Sequence, residues 1–125
     1  MSVSPKVLIV EDEPALLNAL REKLTSLGYE VLAVDDGEKG LNVAKNAMPD
    51  CVILDLIMPR VGGIEMLKKL RASRGGETLP VIILTNVGNA EEIPDLQKDP
   101  HVWIFTKSDI SLADLVVAIR GVITA

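Results

Sequence analysis

The stretch Cys51-Val52-Ile53-Leu54-Asp55-Leu56-Ile57-Met58-Pro59 decides the fold. Four apolar residues run without interruption into a single carboxylate, Asp55, and the turn-forming pair Pro49 and Asp50 precedes them. An apolar run of this length behind a turn has the pattern of a strand buried on both faces, as in parallel sheets covered by helices. Asp55 then stands at the carboxyl end of that strand. In open α/β sheets, helices close both faces and ligands bind in the crevice beyond the carboxyl ends. The rest of the chain is readable as scaffolding for this carboxylate.

Working outward, Val7, Leu8, Ile9 and Val10 form an earlier strand of the same kind, with Glu11, Asp12 and Glu13 directly after it. Pro14 suits a first helical position, Leu16, Leu17, Leu20, Leu24 and Leu27 share one helical face, and Gly28 supplies the stop. Tyr29 to Val34 is a weaker strand. Asp35, Asp36 and Gly37 then turn the chain, and Asp36 is placed to cap a helix carrying Leu41, Val43, Ala44 and Ala47. Beyond the central stretch, Gly62 and Gly63 lead into a third helix through Ile64, Met66, Leu67 and Leu70, ending near Ser73. Val81 to Leu84 is a further buried strand, closed by Thr85 and Asn86. Between Gly88 and Asp99, Asn89 is a candidate cap, but Pro94 removes an interior helical hydrogen bond, which predicts a short, kinked or partly irregular fourth helix. Val102, Trp103, Ile104 and Phe105 make the last strand, ending in Thr106 and Lys107. Ser108, Asp109 and Ser111 offer caps to a fifth helix with Leu112, Leu115, Val116, Ile119 and Val122 on its apolar face. Trp103 and Phe105 are expected to fill the core.

Five strands alternating with five helices predict a doubly wound parallel α/β sheet with right-handed crossovers. The 125 residues fit one domain over residues 1–125. At 48% hydrophobic content the chain is not a disordered segment. Its formal net charge of -5 with scattered basic residues lacks the electrostatic footprint of a nucleic-acid binder. Cys51, the single cysteine, is expected to be a buried structural thiol, and a cytoplasmic location follows. No apolar run approaches the roughly 20 residues that span a bilayer, and no secretory leader pattern opens the chain.

In a flavodoxin-like strand order of 2-1-3-4-5 the first and third strands are neighbours at the switch point, and Glu11, Asp12 and Asp55 converge. Like charges so close together call for a hard divalent cation. Mg2+ suits carboxylate oxygens and water, and leaves positions for a phosphoryl oxygen. A carboxylate beside such an ion can attack phosphorus and form an acyl phosphate. Lys107 can pair with a carboxylate and then with a phosphoryl oxygen, and the Thr85 hydroxyl can donate to the same group. Taken singly, a strand-end threonine is most often structural and a lysine most often a solvated charge. Their arrival at one edge with three acids shifts that balance.

Glu11 and Asp12 after the first strand, Asp55 followed by Met58 and Pro59, Thr85 after the fourth strand and Lys107 after the fifth form a specific set. On these residues the whole chain resembles a receiver domain of the two-component response regulators. The resemblance implies that Asp55 accepts a phosphoryl group from a histidine kinase or phosphotransfer protein. It implies that Asp12, Asp55 and the main-chain carbonyl of Ile57 bind Mg2+, with Glu11 acting through water. Thr85 and Lys107 would bind the phosphoryl group and relay its presence to the fourth helix, fifth strand and fifth helix. A downstream output protein or domain is the implied listener, with the receiver a monomer or a phosphorylation-dependent dimer.

Two positions depart from the family pattern. Ile104 stands three residues before the lysine, where the family usually has an aromatic, and Ser108 replaces the usual proline after it. Ile57 and Val87, which tune phosphoryl lifetime in the family, are apolar and cannot orient an attacking water, so slow self-dephosphorylation is expected. Among rivals, haloacid-dehalogenase-like phosphatases need a second acid two residues after the strand-end aspartate, where Ile57 stands. A nucleotide or flavin module would need a GxGxxG after a strand or aromatics to stack on a ring. A receiver-like interaction module that has lost phosphorylation is at odds with the complete set of acids, threonine and lysine.

Overall fold

The computed structural model describes residues 4–58 and 60–124. Pro59, part of the central stretch and of the family pattern, lies outside the described residues. In chain order the elements are β1 (Lys6–Val10), α1 (Pro14–Ser26), β2 (Glu30–Val34), α2 (Gly37–Ala47), β3 (Cys51–Leu54), α3 (Gly63–Arg71), β4 (Val81–Thr85), a 3-10 turn (Ala90–Glu92), α4 (Pro94–Gln97), β5 (Val102–Thr106) and α5 (Leu112–Thr124). The strands form one parallel sheet in the order β2-β1-β3-β4-β5, as expected.

Period-two alternation along each strand sorts the core into two layers. Leu8, Val10, Val52, Leu54, Val81 and Ile83 point to the side covered by α2, α3 and α4, where Ala44, Met66, Leu67, Leu70 and Leu96 meet them. Val7, Ile9, Cys51, Ile53, Ile82 and Leu84 point to the other side, onto Leu20, Leu24, Leu115, Val116, Ile119 and Val122 of α1 and α5. Because β1, β3 and β4 are covered on both faces, their sequences are continuous apolar runs with no polar alternation.

Local chemistry sets the ends of the helices. Pro14 opens α1, and Gly28, at a left-handed φ of 96°, ends its last turn. The Asp36 side chain accepts from the Lys39 amide and caps α2. The Ser111 hydroxyl accepts from the Asp114 amide at the start of α5.

The segment between β4 and β5 is short and partly irregular, as expected, and differs in the role of Pro94. Pro94 does not interrupt a helix but begins one, at a first-turn position where its missing N–H is no loss. Asn89 takes a left-handed backbone and makes no side-chain cap. The sequence over residues 90–97 is thus split between a 3-10 turn and one α-turn. Trp103 also departs from its expected place, since it is 36% exposed and only Phe105 packs against the α1 and α5 layer. β5 is the sheet's edge strand, and its outer flank has no neighbouring strand to cover a large ring.

Candidate phosphoacceptor site

Parallel register brings the sequence-predicted residues to one edge. Val10 pairs with Leu54, so the next residues, Glu11 and Asp55, leave adjacent strand ends. The Asp55 amide donates to the Val10 carbonyl at 3.1 Å, and the Glu11 amide donates to that of Val34 at 3.0 Å. At the other flank Thr85 pairs with Thr106, and the Lys107 amide donates to the Thr85 carbonyl at 3.0 Å. The sheet itself therefore fixes where the acids, the hydroxyl and the ammonium start.

Their side chains converge. The Lys107 ammonium lies 2.8 Å from Glu11 Oε1 and 2.9 Å from Asp55 Oδ2, with Glu13 Oε2 at 3.4 Å. Glu11 and Asp55 are both buried. Burial pushes the Glu11 carboxyl above the ordinary glutamate value, more than its bonds to Lys107 and the Glu13 amide pull it back. Burial alone would favour a neutral Lys107, but the hydrogen bonds and charges of Glu11 and Asp55 outweigh it and raise its value, so the ammonium stays charged.

Glu11, Asp12 and Asp55 each bring one carboxylate oxygen within 4.8 Å of the others. That all-oxygen donor set fits a hard divalent cation. Asp12 is exposed at the mouth, which leaves room for water in a coordination shell. Beside the acids, Asp55, Ile57, Thr85, Asn86, Val87 and Lys107 line an open cleft of about 240 Å3. The Ile57 amide donates weakly to Asp55 Oδ1 at 3.4 Å, and its side chain is 68% exposed on the rim. Thr85 is buried, and its hydroxyl oxygen accepts from the Val87 amide at 3.3 Å.

The two departures from the family pattern have structural counterparts. Ile104 packs with Val102 against the α2, α3 and α4 layer. The Ser108 amide, a donor that proline lacks, donates to Asn86 Oδ1 at 3.0 Å, and the described residues contain no cis peptide bond. This bridge ties the loop after β4 to the loop after β5. No motif marks Asn86 in the sequence, although the N–H restored by Ser108 calls for an acceptor nearby. Glu13, whose oxygen reaches the same ammonium, is likewise unmarked.

The family model for the response regulator receiver domain matches residues 7–120. The chain belongs to the response regulator receiver domain family. It is a receiver domain of two-component signal transduction, from a family of signalling modules rather than classical enzymes. The receiver is 39% identical to response regulator MprA of Mycobacterium sp. (strain KMS) over 80 residues, 64% of this chain and 34% of that protein. It thus spans about a third of the length of the curated relatives it matches. Among solved structures, the chemotaxis response regulator CheY4 of Vibrio cholerae superposes with a TM-score of 0.85 at 26% identity, over 96% of this chain and 99% of that one. The receiver domain of sensor histidine kinase PA1611 from Pseudomonas aeruginosa PAO1, with a magnesium ion coordinated in its active site cleft, gives 0.86 at 26% identity over 98% and 100%. No helix among the receiver's described residues is long and apolar enough to cross a membrane.

Proposed function

We propose that Asp55 accepts a phosphoryl group from the phosphohistidine of a histidine kinase or phosphotransfer protein. The observation that carries this reading is the single ammonium of Lys107 shared by Glu11 and Asp55 beside an open cleft. In the transfer, an Asp55 carboxylate oxygen forms a bond to phosphorus while the phosphorus–nitrogen bond of the donor breaks, and the departing imidazole takes up a proton. Asp12, Asp55 and the Ile57 carbonyl would hold Mg2+, with Glu11 acting through water. The acid cluster and the magnesium in the PA1611 receiver cleft support that assignment. The ion, when bound, neutralises charge on the phosphoryl oxygens.

This chain's own residues do the rest. Lys107 is already aimed at Asp55 and pairs with a phosphoryl oxygen once the group arrives. The Thr85 hydroxyl, whose oxygen holds the Val87 amide, keeps its hydrogen to donate to the phosphoryl group. Phosphorylation adds roughly -1.5 to -2 charge, enough to bias the loops after β4 and β5 through these two contacts. The readout passes through α4, β5 and α5 to a downstream output protein or domain, with the receiver a monomer or a phosphorylation-dependent dimer in the cytoplasm. Ile57 and Val87 line the cleft without a group that orients water, so the acyl phosphate decays slowly.

Incubation with acetyl phosphate and Mg2+ tests the reading. One phosphoryl group per chain is expected, absent in Asp55→Asn and after chelation of the metal, with slow loss once the donor is removed. Labelling that persists in Asp55→Asn would place the acceptor elsewhere, and catalytic turnover of a phosphate ester would favour a phosphatase.

A further inference from the structure

The loop that leads from Asp55 into α3 is fastened to an element with no part in the chemistry above. Asp36 is 1% exposed, and its two carboxylate oxygens go to different places. Oδ1 accepts from the Lys39 amide at 2.8 Å as the cap of α2, while Oδ2 accepts from the Arg60 guanidinium, with Lys39 Nζ farther off at 3.9 Å. One residue on, the Gly37 amide donates to the Val61 carbonyl at 3.1 Å. A Cβ on Gly37 would lie 2.2 Å from that oxygen, so the close approach of the two backbones requires glycine.

A helix cap needs one oxygen. The second is spent on a cation 24 positions away in the acceptor loop, although Lys39 of the same helix lies close by. Arg60 reaches it from a left-handed backbone, φ 62°, which residues other than glycine seldom adopt. Its side chain is 64% exposed, so it fills no core. The loop is also closed at its base, where the Gly63 amide donates to the Leu56 carbonyl at 3.0 Å. The described residues of this loop are thus held at Leu56, Arg60 and Val61, and Ile57 follows directly on the first of these points.

We propose that Asp36 and Arg60 are positioning residues for phosphoryl transfer: their clasp fixes the loop that presents the Asp55 carboxylate and the Ile57 main chain to Mg2+ and to the incoming phosphoryl group. The inference rests on the acceptor reading given above. Neither residue touches the reacting atoms. Both act through the loop, in the way that partners behind metal ligands set ligand orientation.

The test uses the full chain and Mg2+ alone, followed by calorimetry, with the rate of labelling by acetyl phosphate as a second readout. Asp36→Asn keeps a good helix cap and removes the charge that draws Arg60. Arg60→Gln removes the other partner from an exposed position. Each is expected to weaken Mg2+ binding roughly tenfold and to slow labelling to a similar extent. The double variant should be no worse than either single one, because both break the same contact. Arg60→Lys, which restores a cation, should recover part of the loss. Folded single variants that bind Mg2+ and are labelled within about twofold of wild type would overturn the inference, as would losses that simply multiply in the double variant. Failure of the wild-type chain to be labelled would instead remove the acceptor reading, and this inference with it.

Discussion

Lys107 holds two buried carboxylates at once, and its removal separates what it does for stability from what it does for chemistry. In Lys107→Met, Glu11 and Asp55 keep their places at the strand ends without the ammonium at 2.8 and 2.9 Å. At neutral pH the expected loss is about 2–3 kcal/mol of stability, the range for uncompensated charge in a partly buried pair. The loss should shrink as pH falls. Burial has already raised the Glu11 carboxyl, and without Lys107 it rises further. An acid with a raised folded-state value binds its proton more tightly when folded, so its penalty applies above that value and is relieved below it. Urea unfolding at pH 7 and pH 5 measures this. Mg2+ should also raise the melting temperature of the variant more than that of wild type, since the ion no longer competes with an ammonium for the same oxygens. Equal stability of the two proteins at pH 7 would show that the ammonium contributes nothing net to the fold.

At the scale of elements, α3 begins against Asp55 itself. A Cβ on Gly63 would lie 2.4 Å from the Asp55 carbonyl oxygen and 2.7 Å from the Leu56 Cα, both main-chain atoms that cannot swing aside. Gly63→Ala is therefore expected to cost about 2 kcal/mol by overpacking and to slow labelling of Asp55. Gly121 in α5 has open space where a Cβ would stand, and Gly121→Ala should stabilise by roughly 0.5–1 kcal/mol through helix propensity alone. Urea midpoints of the pair decide whether packing or propensity governs each position. The legibility of the elements follows the same division between local and long-range causes. β1, β3 and β4 announce themselves because burial on both faces leaves no polar position in the run. The cap at Asp36 was readable from local turn chemistry. Its second partner, Arg60, was not, because nothing local joins residues 24 apart. Pro94 marks the irregular segment but not its form: the same missing N–H breaks a helix interior and starts a new helix, and only the chain path distinguishes the two. Trp103 carries a core residue's chemistry, yet its strand lies at the edge of the sheet.

In the whole molecule, stability and chemistry are arranged along the sheet. β1, β3 and β4 are buried on both faces, whereas β5 and the segment over residues 90–97 are only partly covered. At the amino edge of the sheet Arg71 bonds Asp99 at 2.7 Å and the carbonyls of Gly76, Leu79 and His101, tying the end of α3 to the approaches to β4 and β5. The carboxyl edge around β4 and β5, by contrast, joins its loops through the shared charge of Lys107 and the Asn86 bridge. Elements that move in signalling are drawn from the less stable part of a fold, and here that part adjoins Thr85 and Lys107. Cys51 offers a probe of the opposite, most stable part. It is fully buried between β1 and α5 neighbours, and burial pushes its thiol up to about 12, so the native thiol is neither accessible nor ionised at neutral pH. Its reaction with a thiol reagent requires opening of β3, which for a domain of ordinary stability suppresses the rate at least roughly 10³-fold relative to the unfolded chain. The rate should rise with urea along the slope of global unfolding and fall when Mg2+ is added, because an ion bound only by the folded chain lowers the open population. Labelling insensitive to both would mean that β3 opens locally, and that the strand carrying Asp55 belongs with the mobile elements.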